Sequence, residues 1–110
     1  MRQIKDNMCE WSSFLDNKQM DMLIVKYLIS EDGKKVIEFV VIYTTIIGES
    51  PKEVIKYDFS KKEPLHSHYN YQKNQKKVLI NKEVSIETIM EIVEYIEKNW
   101  RKMKMKFMER

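Results

Sequence analysis

Val36 to Ile47 (VIEFVVIYTTII) runs for twelve residues without glycine or proline and with one charge, Glu38. β-branched and aromatic side chains dominate it, and such residues fit a pleated, packed surface. Alternation puts Ile37, Phe39, Val41, Tyr43 and Ile47 on one face. Val36, Val40, Ile42 and Ile46 share the other with Glu38 and Thr44. With both faces mostly apolar, this segment predicts a central strand that needs neighbours on both edges and a helix over at least one face.

The cover is legible further along. Ile86, Ile89, Ile92, Val93, Ile96, Trp100, Met103 and Phe107 repeat at helical spacing. Ser85 precedes them as a natural N-cap, and Glu87 sits where the positive end of a helix favours an anion. Lys98, Arg101, Lys102, Lys104 and Lys106 crowd the other end, as the helix dipole prefers.

Between these landmarks the chain reads as a meander. Met20 to Ile29 is a strand, and Asp32-Gly33 is a strong hairpin signal joining it to the central one. Gly48-Glu49-Ser50-Pro51 makes a second turn. Val54 to Phe59 then alternates, with Ile55, Tyr57 and Phe59 on one side and Val54, Lys56 and Asp58 on the other. Pro64 interrupts the ladder. Leu65 to Tyr71 predicts an edge strand, and Val78-Leu79-Ile80 a short further one. In residues 1–18, Ile4, Met8, Trp11, Phe14 and Leu15 predict a short amphipathic helix. The expected fold is therefore α+β: an antiparallel meander sheet of four to five strands, covered on one face by a long C-terminal amphipathic helix, with a short N-terminal helix. At 110 residues one domain, 1–110, accounts for the whole chain.

Hydrophobic residues make up 43% and charged residues 34%, which describes a folded chain and not a disordered one. The net charge of +3 permits an acidic partner without requiring one. Cys9 is the only cysteine, so no intramolecular disulfide can form; this points to a reducing cytoplasm, with Cys9 as a small apolar residue. Arg2, Lys5, Asp6 and Glu10 fall where a secretion signal would be apolar, and no run is long enough for a membrane span.

Chemistry concentrates between residues 57 and 77. His66 and His68, two apart on a strand, present their imidazoles on one side. Such a pair can exchange protons near neutral pH or ligate a metal with Asp58 as third ligand; it can also be two structural histidines on an edge. The candidate catalytic set is His66, His68, Asp58 and Tyr57. Lys73, Lys76 and Lys77, interleaved with Tyr69 and Tyr71, could hold phosphates while the rings stack on unpaired bases; the alternative is a solvated, lysine-rich loop. Phosphate loops, dinucleotide fingerprints, paired-cysteine motifs and the hydrolase and zinc-protease motifs are missing from the sequence, which names no cofactor.

Tyr57-Asp58, then Pro64-x-His66-x-His68, then a short basic strand and a terminal helix bearing a tryptophan form an order over about residues 20 to 100. It resembles the TumE-like family, the toxin halves of small toxin–antitoxin pairs. This sequence differs in having histidine, lysine and tyrosine where that family usually carries arginine near the histidines. The resemblance implies a helix-turn-helix antitoxin as partner and RNA as a target, with His66 and His68 as acid and base and Asp58 orienting one of them. The other expectation is a non-catalytic module that docks a partner, or pairs with itself as a homodimer, by a sheet edge or by the end of the helix.

Overall fold

The central strand expected at Val36 to Ile47 has those bounds as β3, and the rest of the sheet is laid out around it. The computed structural model describes residues 7–71 and 78–110. In chain order it places β1 (Asn7–Phe14), β2 (Asp21–Ile29), β3 (Val36–Ile47), β4 (Ser50–Phe59), β5 (His66–Tyr69), β6 (Val78–Leu79) and one helix, α1 (Ile86–Glu109). The six strands form one antiparallel meander in the order β1-β2-β3-β4-β5-β6. The fold is α+β as expected, with six strands where four to five were anticipated.

The helix expected within residues 1–18 is not seen: residues 1–6, with Ile4, lie outside the described residues, and Asn7–Phe14 is a strand. Asn7 to Phe14 pairs residue by residue with β2, from Asn7 opposite Ile29 to Phe14 opposite Met22. Residues 8, 11 and 14 suit a helix by spacing, but an isolated helix of a few turns is marginal in water. Pairing instead satisfies the backbone groups of the long β2 edge. The turn before β2 is tied by Asp16, whose carboxylate accepts from the Met20 N–H (3.0 Å) and the Asp21 N–H (2.9 Å). The β2–β3 hairpin closes as Asp32-Gly33 suggests: Gly33 N–H donates to Ser30 C=O at 2.8 Å, and Gly33 takes φ +75°.

One correction concerns β4. Tyr43 opposes Ile55 while Thr44 opposes Glu53, so Val54 is an extra residue in a bulge. The kink turns Val54 inward beside Ile55, both fully buried, instead of outward with Lys56 and Asp58. A uniform period of two cannot anticipate this.

The Ser85 hydroxyl caps α1, accepting from the Thr88 N–H at 3.2 Å. Its buried stripe, Ile89, Ile92, Val93, Ile96, Trp100, Met103 and Phe107, lies over β3 and β4. It meets Leu23, Val25, Phe39, Val41, Tyr43, Val54, Ile55 and Tyr57 in a single core. Each fully buried aliphatic side chain there contributes about 1.5–3 kcal/mol. The tail of the helix is pinned by Asp21, almost fully buried: Tyr43 Oη donates to one carboxylate oxygen at 2.7 Å and Lys104 Nζ to the other at 3.1 Å.

The helix covers one face of the sheet. On the other, Ile24, Leu28, Val40, Ile42 and Ile46 stay half-buried beside Lys26, Lys56 and Asp58. Among the described residues no helix is long and apolar enough to cross a membrane.

Candidate functional site

Antiparallel pairing of β4 with β5 sets Asp58 opposite His66, Tyr57 opposite Ser67 and Lys56 opposite His68. Asp58, His66, His68 and Lys56 therefore share the face away from the helix. Tyr57 points to the opposite, helix-covered face, so the sheet itself separates it from the other three candidate catalytic residues.

The two imidazoles meet edge to face, with ring centroids 4.9 Å apart. His66 is only 2% exposed. Its Nδ1 lies 2.8 Å from the Pro64 carbonyl, which can only accept, so Nδ1 carries the proton. Its Nε2 faces Glu63, 3.7 Å from Oε2. Asp58 forms its ion pair with Lys56 on its own strand, at 3.6 Å. Glu10 and Lys26 make a similar pair further across the same face, at 3.7 Å. Among the described residues, acids and bases thus alternate over this surface, without the run of unpaired cations that tracks a phosphate backbone. Among the described residues no group of three or more His, Cys, Asp or Glu is placed to hold a metal ion.

The residues proposed for nucleic acid are divided. Lys73, Lys76 and Lys77 lie outside the described residues. Tyr69 sits on the helix face, where its hydroxyl shares a 2.5 Å hydrogen bond with that of Tyr57. Tyr71 stands edge-on to Tyr69 at 5.5 Å, under Lys106 Nζ at 5.8 Å. Burial raises the phenol pKa of Tyr57 and Tyr69, and it pushes Tyr71 up to about 12. These rings pack edge to face against one another. Tyr57 and Tyr69, with Leu65, Ile80 and Tyr95, border a cleft of about 330 Å³ at the sheet–helix junction, and the Lys82–Glu91 ion pair (2.6 Å) lies in its lining. Spacing alone does not reveal this cleft, because Tyr95 reaches it from a different element.

A second feature that the sequence concealed is β1. It pairs with β2 alone among the described residues, and α1 stops short of it. Trp11, on the helix side, is 36% exposed, and Met8 and Phe14, on the open face, are 54% and 47% exposed. Cys9, expected to be a core residue, is half-buried on this edge opposite Tyr27.

Sheet, helix and the β1 edge together define a small two-layer α+β domain with an open sheet face. Its sequence matches the model of the Domain of unknown function (DUF7718) over residues 6–110, and the chain belongs to that family. No curated protein and no solved structure matches it.

Proposed function

We propose that this chain is a non-catalytic binding and oligomerisation module of the cytoplasm, working through the β1 side of its sheet. One observation carries the reading: an edge strand of eight residues leaves Met8, Trp11 and Phe14 in water, and its ladder with β2 is unbroken by a bulge. Proteins that are not meant to pair by an edge shorten it, charge it or bend it. At the far edge β6 has two described residues, whereas β1 runs for eight and carries only Glu10 as a charge. Light scattering on the purified chain tests the reading. A stable oligomer, unchanged by added RNA or Zn²⁺, is expected; a chain that stays monomeric and binds RNA would overturn it.

A second reading draws on the contact between His66 and His68 with Asp58 across the ladder. In it the chain is a TumE-like toxin acting on RNA, neutralised by a helix-turn-helix antitoxin. The near-complete burial of His66 weighs against direct proton exchange with a substrate. Induced expression of the parent and of the His66→Ala, His68→Ala double variant separates the two readings. Growth arrest by the parent that the double variant loses favours the toxin; equal growth favours the module.

A further inference from the structure

Resting on the binding reading, we propose the occupant of the β1 edge: the β1 strand of a second copy of this chain, antiparallel, with the two-fold axis passing through Trp11. The result is one continuous sheet across two subunits.

The geometry of the existing ladder sets which groups are on offer. Leu15 N–H donates inward to Asp21 C=O at 2.7 Å. Inward and outward residues alternate along a strand, so Ser13, Trp11 and Cys9 also bond toward β2. Met8, Glu10, Ser12 and Phe14 therefore aim their N–H and C=O groups away from the sheet. A partner strand related by a two-fold axis meets these outward groups only when each residue faces one of the same parity. The axis must then pass through a residue, and only the central ones leave a useful overlap.

Charge and apolar pairing discriminate among those choices. An axis at Glu10 sets two carboxylates against each other, which is destabilising. An axis at Ser12 puts Glu10 against Phe14 of the other copy. An axis at Cys9 puts Met8 against Glu10 and carries Phe14 past Asn7, the first described residue of the other strand. With the axis at Trp11, Met8 faces Phe14 and Glu10 faces the hydroxyl of Ser12, in both directions. The two Trp11 rings meet on the helix side, beyond the reach of α1, beside Val25. All three exposed apolar residues of the strand are covered at once.

This register also makes Cys9 oppose Ser13 of the other copy. The pair is of the non-hydrogen-bonded kind, with Cα atoms about 4.5 Å apart, close enough for a disulfide. Since Cys9 is the only cysteine, Ser13→Cys supplies a specific reporter. Under mild oxidation Ser13→Cys should run at twice the chain mass on a non-reducing gel, while Ser12→Cys, which points to the opposite face, and the parent should not. In parallel, Ser12→Pro removes an outward N–H and leaves the bonds to β2 in place. Sedimentation should show the parent as a dimer and Ser12→Pro as a monomer, with the same far-ultraviolet circular dichroism.

A parent that sediments as a monomer at its highest soluble concentration overturns the proposal. A dimer that persists in Ser12→Pro and fails to cross-link through Ser13→Cys overturns this interface but leaves the binding reading standing on another surface. Cross-linking of the parent through Cys9 alone moves the axis and refutes the Trp11 register.

Discussion

Tyr43→Phe tests whether the far end of the helix is fastened by a buried carboxylate. Asp21 is 1% exposed, and its two oxygens have one donor each, Tyr43 Oη at 2.7 Å and Lys104 Nζ at 3.1 Å. Removing the phenolic hydroxyl leaves one carboxylate oxygen without that donor. Hydrogen bonds to charged groups are worth about 1.5–3 kcal/mol, and the ring itself is retained, so this range is the whole expected loss. For a domain of this size about 1 kcal/mol moves the melting temperature by about 4 °C, which gives a fall of about 6–12 °C. Lys104→Met removes the other partner. Breaking a fully buried pair costs about 3–5 kcal/mol. The Lys104 side chain is about a third exposed, so solvent screening reduces that to about 1–3 kcal/mol. Because the two donors share one carboxylate, the double variant should lose more than the sum, by about 1 kcal/mol. Urea unfolding at one fixed protein concentration measures all four corners of the cycle, and an unchanged dependence on urea keeps the comparison valid. If Tyr43→Phe costs under about 0.5 kcal/mol, the carboxylate is solvated and Asp21 is not the fastening described.

Three further outcomes are expected. Burial holds the Tyr57 phenol above its ordinary value of 10.0, so the stability it contributes is complete below about pH 10 and is lost above it, where the unfolded chain ionises first. Urea midpoints between about pH 9 and 11.5 should fall less steeply for Tyr57→Phe, by about 1.4 kcal/mol per pH unit per phenol removed; identical slopes would contradict the burial. Ile96→Ala, at a fully buried site, should cost about 2–5 kcal/mol in the same assay, and Ile86→Ala, which is 40% exposed, under about 1; equal costs would mean the stripe is not the packed face. Gly33→Ala meets open space, so its penalty should be the left-handed backbone alone, about 1–2 kcal/mol, read by thermal melting; a neutral result would mean the turn does not need φ +75°.

The elements that sequence spacing located best are those whose pattern has a single physical solution. β3 combines stiff β-branched residues with apolar faces on both sides, and no helix tolerates that composition as well. α1 combines a cap, a charge gradient and a stripe of period 3.6, and each points to the same start. In Met8–Trp11–Phe14 two solutions compete, because that spacing serves a helix while alternate residues serve a strand. The choice falls to the unpaired backbone of β2, which a local pattern cannot represent. The candidate site divides in the same way. Two residues apart on one strand places His66 with His68, and this holds. Whether Tyr57 or Asp58 faces them depends on the β4–β5 register, and the burial of His66 depends on how the Glu63–Pro64 turn folds back over it.

The sequence by itself therefore determined the central strand, the hairpin at Gly33, the capped helix and the face that helix hides, since these follow from backbone preference and from the need to remove apolar stripes from water. Tertiary structure alone decided that residues 7–14 extend the sheet, that Val54 turns inward at a bulge, that Tyr57 leaves the histidines for a cluster of phenols, and that Trp11 lies beyond the end of the helical cover. Each of these depends on which chain segments become neighbours, and contacts between distant segments are formed by the fold as a whole.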